Sequence, residues 1–427
     1  MTFREDLERA ADWADDYLRR VGELPVAAGV TPGAIRARLR ESPPEQPEPF
    51  EAILRDLDEV ILPGITHWNH PRFFAWFANT GSEPGILAEL LIATLNVNAM
   101  TWLSSPAATE LEATVMDWLA QLLGLPRTWH GHIEDTASTA TIAALAAART
   151  LKPGGVVYAS EQANFSVEKA ARLVGLEFRK VEVDDALRMR ADVPFDDATA
   201  IVATVGTTGT TSVDPVAALA DRCEQVGAWL HVDAAYAGSA AVCPELRWCL
   251  DGVERADSVV VNPHKWLFTP MDCSAFWTRR PDVLHETFAL VPDYLAATQD
   301  AVDLKDFGPA LGRRFRALKL WIVLRWYGAE GLRSLIREHV RLAQLFASLV
   351  ESEPGWEVVA PHPFSTVCFR HSEGDNDAIA RAATATGEVF VASARLREQS
   401  IIRLAIGNAQ TTEADIRRAW EVLRGCA

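Results

Sequence analysis

The chain has 427 residues, of which 49% are hydrophobic and 23% charged, proportions typical of a globular protein with two or three domains. Its formal net charge of −17 argues against a non-specific nucleic-acid surface and against binding to an anionic membrane. Because no stretch has the pattern of a signal peptide or an uncharged apolar span of membrane length, we expect a cytoplasmic protein.

The first part of the chain is predicted to be helical. Residues 2–22 carry apolar side chains at helical spacing, and a proline-rich connector at 41–49 separates them from a second helix at about 50–60. Residues 64–85 are rich in aromatic and turn residues, and their apolar positions follow neither a helical nor a strand period. This pattern indicates an ordered loop that lines another part of the protein. Helices follow in "PGILAELLIATLNV" and "SPAATELEATVMDWLAQLLG", the second with Thr109–Glu112 spacing that predicts a capping arrangement.

The middle of the chain alternates short β-branched runs with alanine-rich helical stretches such as "ATIAALAAARTL". The predicted strands are 154–160, 178–183, 200–206, 229–235, 258–262 and 274–279. Strands that alternate with helices predict an α/β fold, in which a mostly parallel central sheet is covered by helices on both faces.

The last part of the chain begins with a long helical stretch from about residue 312. Strand and helix patterns after it predict a small C-terminal α+β domain. We therefore divide the chain into an N-terminal helical segment (1–85), a large α/β domain (86–320) and the small C-terminal domain (321–427).

Cysteines and histidines show neither a disulfide pattern nor a metal-site pattern. The six cysteines contain no C-x-x-C pair, so we expect buried thiols. Two tight histidine pairs, His67 with His70 and His130 with His132, lack a partnering cysteine or an H-E-x-x-H helix. We interpret them as polar loop residues or packed rings.

The turns after the predicted strands carry the candidate chemistry. In an open parallel sheet, ligands bind at the carboxyl ends of the strands. Four turns follow strands there: "EQANFS", "GTTGTTS", "DAAYAG" and "NPHKW". In "DTASTATIAAL", Ala137 and Ser138 are small residues at the start of a helix, which is a suitable site for a phosphate.

Lys265 in "NPHKW" is one of only six lysines in the chain. A phosphate turn, a buried carboxylate and a strand-end lysine together match pyridoxal phosphate, which needs an amine for a Schiff base and a carboxylate near its ring nitrogen. Each element alone is weak, because such lysines are usually solvated, such aspartates often cap helices and Gly/Thr runs are usually turns. Their occurrence in order at one edge of the sheet favours the cofactor.

At these residues the chain resembles the group II pyridoxal-phosphate decarboxylases, and within them the aromatic L-amino-acid decarboxylases. The resemblance runs from about residue 60 to the end. It rests on "HPRFFAWF", "SPAATELE", "WLHVDAAYAGSA", "VNPHKW", "LGRRFRALKLW" and "VCFR". It implies a fold-type-I homodimer whose active sites draw on both subunits.

The resemblance also implies which residues bind the cofactor. Lys265 would form the Schiff base, Asp233 would pair with the pyridinium and Ala235 would pack on the ring. The residues implied to hold or neighbour the phosphate are Ala137, Ser138, Thr207, Asn262 and His264.

Further residues are implied at the substrate side. Tyr294 in "LVPDYLAATQD" matches the mobile-loop tyrosine of the family, and Arg403 in "IIRLAIG" matches a buried family arginine. The implied substrate pocket contains Trp68, Trp76, Phe77, Asn79, Ser365 and, contributed across the dimer, Met100.

The implied reaction converts an aromatic L-amino acid to its arylalkylamine. The cofactor ring, kept protonated by Asp233, takes up the electrons as a quinonoid when carbon dioxide leaves. A proton then returns to Cα from Tyr294, and Lys265 releases the amine.

Asn164 departs from the family pattern. The family normally has a ring-stacking histidine in "DQAH" or "EQAH", whereas this chain has "SEQANFSVEKA". Asparagine neither stacks as an aromatic nor titrates near neutral pH. In insect relatives, asparagine here accompanies an aldehyde synthase that takes dioxygen as a co-substrate and yields an aryl-acetaldehyde, ammonia and hydrogen peroxide. Plant aldehyde synthases instead lose the loop tyrosine, which this chain keeps, so both outcomes stay open.

Other positions concern the substrate. Asn79 replaces a family threonine near the substrate carboxylate, and "LKDFGPALGRRF" is shorter than in animal relatives, which bears on loop closure. Ser365 lies where plant relatives use serine for phenolic and glycine for indolic substrates. This position favours phenylalanine, tyrosine or dopa over tryptophan, with simple packing of Ser365 against a strand as an equal alternative.

A fold-type-I transaminase and an inactive binding protein are the remaining alternatives. The histidine directly before Lys265 and the "PDYL" loop match decarboxylases rather than transaminases. Retention of Asp233, Lys265 and Tyr294 argues against a loss of activity.

Overall fold

The structure, a computed structural model, describes residues 2–79, 81–290 and 301–427. The chain divides into two compact units. Unit 1 comprises the chain up to Ala78 together with Leu345–Val359 and Phe369–Ala427, and unit 2 comprises Asn79–Gln344 and Ala360–Cys368. The division into three domains at residues 85 and 320 stays a prediction.

Unit 2 is built on a seven-stranded sheet. Its strands are β1 (His130–Glu134), β2 (Val156–Ser160), β3 (Glu177–Val181), β4 (Ala198–Thr204), β5 (Trp229–Asp233), β6 (Ser258–Val261) and β7 (Ser274–Thr278). Their spatial order is β1-β7-β6-β5-β4-β2-β3. Neighbouring pairs among β2 to β6 are parallel, whereas β7 is antiparallel to both β6 and β1. The predicted mostly parallel sheet is confirmed.

Helices of unit 2 precede, connect and follow these strands. They are α3 (Glu83–Leu95), α4 (Pro106–Leu123), α5 (Ala137–Leu151), α6 (Phe165–Leu173), α7 (Val216–Val226), α8 (Pro263–Trp266) and α9 (Pro281–Phe288). α5 packs a face of buried alanines, including Ala140 and Ala144, into the core that contains Val157 and Val202. Because alanine side chains are short, α5 lies close to the sheet, and its N-terminus follows directly from the carboxyl end of β1.

Strand β1 is absent from the sequence prediction, which placed His130 and His132 in a loop or among packed rings. Both histidines lie in this strand. The ring of His132 is buried, with Nε2 3.1 Å from Oε1 of Glu134, and His130 stacks on Phe307 with ring centroids 4.1 Å apart. The packed-ring interpretation is confirmed, but "HGHIE" has too few apolar residues to indicate a strand.

The capping arrangement predicted from Thr109 and Glu112 is wrong. Ser105 caps α4, because its side chain accepts a hydrogen bond from the Ala108 N–H at 3.3 Å. Glu112 is instead buried, where it accepts the Ile133 N–H and pairs with Arg313 at 2.6 Å. The spacing that matches a capping box therefore serves a buried ion pair.

Unit 1 combines helices with a small sheet. Its elements are α1 (Phe3–Arg20), α2 (Phe50–Asp56), β8 (Trp356–Val358), α11 (Asn376–Ala385), β10 (Ala392–Leu396), β11 (Gln399–Ala405) and α12 (Glu413–Gly425). Two elements contribute residues to both units: α10 (Arg316–Glu351), which breaks at Gly328, and β9 (Thr366–His371). The four strands are ordered β10-β11-β9-β8, which confirms the predicted α+β character of the C-terminal part.

Two whole-chain features complete the description. All six cysteines are free thiols, as predicted, and five of them are buried, whereas Cys426 is only partly buried. Within the ranges that the structure describes, no helix has the length and apolarity needed to cross a membrane.

Candidate active site

The predicted turns lie at one edge of the seven-stranded sheet. Thr204 at the end of β4 pairs with Asp233 at the end of β5, and Asp233 pairs with Val260 in β6. Since β7 is antiparallel to both β1 and β6, β1 points the same way as β6. The carboxyl ends of β1, β2, β4, β5 and β6 therefore face the same edge, as expected for a ligand site.

Asp233 provides a buried carboxylate at this edge. Its side chain is almost inaccessible, and Oδ1 accepts a hydrogen bond from the Ala235 N–H at 3.1 Å. Burial raises the pKa of Asp233, while the positive charge of Lys265 and the Ala235 N–H act in the opposite direction. A buried carboxylate is stabilised by a cationic hydrogen-bond donor. The protonated ring nitrogen of pyridoxal phosphate is such a donor, so this group fits the cofactor.

Lys265 lies on α8, the short helix that follows β6. Its backbone N–H donates to the carbonyl oxygen of Asn262 at 2.9 Å. The neighbours Asn262, His264 and Trp266 are all buried, whereas the Lys265 side chain is only partly buried. The backbone is thus fixed from the core side while the side chain stays accessible, as a reactive amine requires.

His264 and Asn262 are held inside the turn. Nδ1 of His264 accepts the Cys273 N–H at 3.0 Å, and burial lowers the pKa of His264 to about 3, which makes the ring neutral at pH 7. Oγ of Ser274 lies 2.8 Å from Oδ1 of Asn262 and 3.4 Å from the carbonyl oxygen of Asp135. Ser274 therefore connects the Lys265 turn to the turn that begins α5.

The start of α5 fits a phosphate group. Thr136 caps the helix by accepting the Thr139 N–H, so Ala137 and Ser138 occupy the first helical positions. The N–H groups of a first turn have no carbonyl partners within the helix, and the helix dipole favours an anion there. Ala137 is partly buried and Ser138 is exposed, so both are accessible to a ligand.

Thr207 is fully buried in the Gly/Thr loop after β4. Its hydroxyl accepts the Ser212 N–H at 3.1 Å and lies 3.2 Å from Oγ1 of Thr210. The side chain thus holds its own loop together, and its predicted place beside the phosphate stays a prediction. The next residue, Thr208, is exposed.

Asn164 caps α6 and joins two turns of the site. Its Oδ1 accepts the Ser166 N–H at 3.0 Å, and its Nδ2 donates to Oγ1 of Thr208 at 3.1 Å. Thr208 is a residue that the sequence reasoning missed. The sequence signal was its position next to Thr207, but nothing in the sequence indicated a contact with residue 164.

The aromatic pocket residues Trp68, Trp76 and Phe77 belong to unit 1. Trp68 and Trp76 stack with ring centroids 5.4 Å apart, and Trp76 has a left-handed φ of 51°. The guanidinium carbon of Arg403, a buried residue of β11, lies 5.1 Å from the Phe77 ring centroid. The structure therefore brings these four predicted residues into two ring contacts.

The other pocket residues belong to unit 2. Asn79 and Met100 are partly exposed, and the Met100 carbonyl accepts the Lys305 N–H at 3.0 Å. Ser365 is fully buried, with Oγ 2.7 Å from Oη of Tyr236. Tyr236 is another residue that the sequence reasoning missed, although it directly follows Ala235. Tyr294 lies outside the described residues.

Comparisons with known proteins show to which family the chain is similar. The family described as pyridoxal-dependent decarboxylase conserved domain matches residues 32–372. Phenylacetaldehyde synthase of Rosa hybrid cultivar is 39% identical over 99% of this chain and 93% of its own length, and tyrosine decarboxylase 4 of Petroselinum crispum is 40% identical over 99% and 91%. The crystal structure of Oryza sativa TDC with PLP and tryptamine superposes with a TM-score of 0.95 at 36% identity, covering 99% of this chain and 97% of that one.

Proposed function

This chain belongs to the pyridoxal-dependent decarboxylase family and uses pyridoxal phosphate, and from that premise we propose that it decarboxylates an aromatic L-amino acid to the arylalkylamine. The observation that carries the proposal is the buried Asp233 carboxylate within electrostatic range of Lys265 at the carboxyl edge of the sheet. The substrate class is supported by relatives named as decarboxylases of tyrosine and of aromatic L-amino acids. The match to these relatives extends over nearly their whole length.

The cofactor, when bound, supplies an aldehyde that bonds to amines and a ring that accepts electrons from the bond to the departing carboxyl group. Lys265 would supply the amine that holds this aldehyde. Asp233 would keep a positive charge on the ring nitrogen, because an ionised carboxylate in a buried setting stabilises an adjacent N–H. The first turn of α5 would hold the phosphate through its backbone N–H groups.

The proton that completes the amine is assigned to Tyr294 by its match to the family loop. A hydroxyl at that place would deliver a proton to Cα after carbon dioxide has left. Retention of Tyr294 in the sequence supports the amine as the main product.

Phenylalanine, tyrosine or dopa is proposed as the substrate in preference to tryptophan. The support is Ser365, a serine at the position where the resemblance associates serine with phenolic substrates.

Asn164 favours a second candidate, an aldehyde synthase. In this reaction the amino acid, dioxygen and water give an aryl-acetaldehyde, carbon dioxide, ammonia and hydrogen peroxide, with dioxygen as the oxidant of the decarboxylated intermediate. Asn164 carries an amide in place of the family imidazole, and both ends of this amide are engaged, at Ser166 and Thr208. The similarity to phenylacetaldehyde synthase and to the Rhodiola rosea 4-hydroxyphenylacetaldehyde synthase structure supports this candidate.

One incubation series tests both candidates. The purified enzyme receives phenylalanine, tyrosine, dopa and tryptophan in turn, and carbon dioxide, amine, aldehyde and peroxide are measured together. Amine equal to carbon dioxide, without peroxide, establishes the decarboxylase and excludes the aldehyde synthase. Peroxide equal to carbon dioxide does the reverse, and absence of carbon dioxide with every aromatic substrate refutes both.

A homodimer with shared active sites is also proposed. α3 exposes a row of large apolar side chains: Ile86, Leu87, Leu90, Leu91 and Leu95. Exposed apolar surface of this kind is typical of an interface. Sedimentation equilibrium of the purified chain checks the assembly, and a monomer at micromolar concentration would contradict it.

A further inference from the structure

The histidine directly before Lys265 has a defined tautomer. Nδ1 of His264 accepts the Cys273 N–H at 3.0 Å, and the backbone N–H of His264 donates to the Cys273 carbonyl oxygen at 3.3 Å. A ring nitrogen that accepts a hydrogen bond carries no proton, and burial lowers the pKa of His264 to about 3, so the ring is neutral. Because a neutral imidazole has one N–H, the proton of His264 is on Nε2.

The Nε2–H of His264 needs an acceptor inside a buried turn. Its neighbour is the buried amide of Asn262, whose Nδ2 lies 3.3 Å from Nε2. Two N–H groups cannot bond to each other, and a buried donor without an acceptor is destabilising. The conflict disappears if the amide makes half a turn about its Cβ–Cγ bond, because its oxygen and nitrogen then exchange places. Oδ1 would accept from His264, and Nδ2 would face Ser274.

Ser274 supports the same orientation of the amide. Its hydroxyl is fully buried and lies 2.8 Å from the facing end of the Asn262 amide and 3.4 Å from the carbonyl oxygen of Asp135. A hydroxyl has one proton to donate, whereas Oδ1 and the carbonyl oxygen both require a donor. With Nδ2 turned toward it, Ser274 would accept from Asn262 and donate to Asp135, and both contacts would be satisfied.

These hydrogen bonds end on the peptide group that leads into α5. The Asp135 carbonyl and the Thr136 N–H belong to the same peptide group, and this N–H donates to Oδ1 of Asp135 at 2.6 Å. Thr136 in turn caps α5. Hydrogen bonds that all donate in one direction polarise and strengthen one another. We call the residues that take part the hydrogen-bond series: Cys273, His264, Asn262, Ser274 and Asp135.

We propose that the hydrogen-bond series runs in one direction and that Ser274 is the positioning residue that fixes the Lys265 turn against the first turn of α5. The two turns carry the groups expected at the aldehyde and at the phosphate of the cofactor. Their separation is held by buried groups of the protein itself. An effect on cofactor affinity rests on the use of pyridoxal phosphate, whereas the tautomer and the direction of the series do not depend on the reaction.

The tautomer of His264 tests the direction of the series. The holoenzyme, labelled with 15N at its 10 histidines, is measured by long-range 1H–15N NMR at pH 7. The signals of His264 are assigned by their absence from His264→Gln. We expect a protonated Nε2 and an unprotonated Nδ1. A proton on Nδ1, alone or together with one on Nε2, would overturn the series, because the Cys273 N–H would then have no acceptor. The measurement needs no change at Ser274.

Ser274→Ala tests the positioning role. The substitution removes the acceptor of Asn262 and the donor to Asp135. The affinity of the apo-protein for pyridoxal phosphate should therefore fall by about 3- to 10-fold, the value of one hydrogen bond. A titration followed by the visible absorbance of the cofactor measures this affinity without any turnover.

Thr278→Val is the matched control. Thr278 is also buried in β7, and its hydroxyl also donates to a backbone carbonyl, that of Asp257 at 2.8 Å, but it pairs with the first residue of β6 at the opposite edge of the sheet. Cofactor affinity should stay at the wild-type value. Wild-type affinity in Ser274→Ala, or an equal loss in both variants, would overturn the positioning role. A protein that binds pyridoxal phosphate but decarboxylates no aromatic amino acid would refute the proposed function and leave the series intact.

Discussion

The turn that carries Lys265 and the turn that carries Asn164 lie at the same edge of the sheet but are held in different ways. Lys265 is flanked by buried residues, and His264 beside it is tied to the Cys273 N–H. Asn164 is partly exposed, and the next residue, Phe165, is 78% exposed. Two hydrogen bonds of the Asn164 side chain define its position.

The packed turn carries the residue proposed to hold the cofactor, and the exposed turn carries the residue proposed to select the product. Changes around Lys265 disturb a packed interior, so few substitutions are tolerated there. A change at Asn164 disturbs a helix cap and one contact, which costs about 1 kcal/mol of stability. We therefore expect the exposed turn around Asn164 to tolerate changes that the packed turn around Lys265 does not.

The largest expected effect is that of Lys265→Ala. Loss of the amine proposed to hold the cofactor should reduce turnover by about 10³-fold or more. Borohydride should no longer attach the cofactor to the protein, as mass spectrometry would report. Lys169→Ala, an exposed lysine on α6, is the control and should behave as wild type. Undiminished turnover in Lys265→Ala would remove Lys265 from the mechanism.

Asp233→Asn should have the next largest effect. The amide keeps the shape but not the charge, so the ring nitrogen loses its stabilising partner and kcat should fall by about 10²-fold. A cofactor analogue with a permanent charge on the ring nitrogen should restore part of the rate. Failure of the analogue to help, with an intact fold, would contradict the electrostatic role. Asp251→Asn, on an exposed turn, is the control.

The free energy of unfolding should fall at acid pH because His231 and His264 are buried. Burial lowers the pKa of His231 and of His264 to about 3, against about 6.5 in an unfolded chain. The unfolded state therefore binds more protons between pH 6.5 and pH 3, so stability is present above pH 6.5 and is lost as the pH falls through this range. From pH 7 to pH 5 the loss is about 2 kcal/mol per histidine.

Urea unfolding at the two pH values measures this loss. His231→Gln should make the difference between pH 7 and pH 5 smaller by about 2 kcal/mol, whatever its effect on stability at pH 7. His285→Gln, at an exposed position, should leave the difference unchanged. An unaltered difference in His231→Gln would mean that His231 does not stay neutral in the folded protein.

Asn164→His tests whether residue 164, on the exposed turn of the site, selects the product. An imidazole at this position would cover the cofactor and shift the ratio of amine to aldehyde toward amine by about tenfold, the effect of roughly 1.4 kcal/mol between two barriers. The rate should also acquire a pH dependence near neutrality, which asparagine cannot give. An unchanged product ratio would show that residue 164 does not select the product.

The smallest expected effect is that of Thr208→Val. The variant keeps the shape but removes the acceptor for Nδ2 of Asn164, so the product ratio should change by about threefold, the value of a weak hydrogen bond. Thr208→Ser keeps the acceptor and should resemble the wild type. Equal ratios of amine to aldehyde in the wild type and both variants would show that the hydrogen bond from Asn164 to Thr208 does not influence the product.

Several features were predictable because they depend on local patterns. β-Branched runs predicted six of the seven strands of the large sheet, and strand polarity placed Asp233 and Lys265 at one edge. β1 escaped prediction because "HGHIE" gains its strand character from pairing with β7 rather than from apolar alternation. The capping prediction from the Thr109–Glu112 spacing was wrong because the Glu112 carboxylate pairs with Arg313. This buried arginine lies 201 positions further along the chain.

The sequence by itself determined the cofactor chemistry. A scarce lysine, a strand-end aspartate and a helix N-terminus are local features that can be recognised, in their order, along the chain. Only the tertiary structure decided which side chains those residues depend on. The contacts of Asn164 with Thr208 and of Tyr236 with Ser365 join segments 44 and 129 positions apart. Such contacts arise from the packing of strands and turns, and a hydroxyl in the sequence does not indicate its partner.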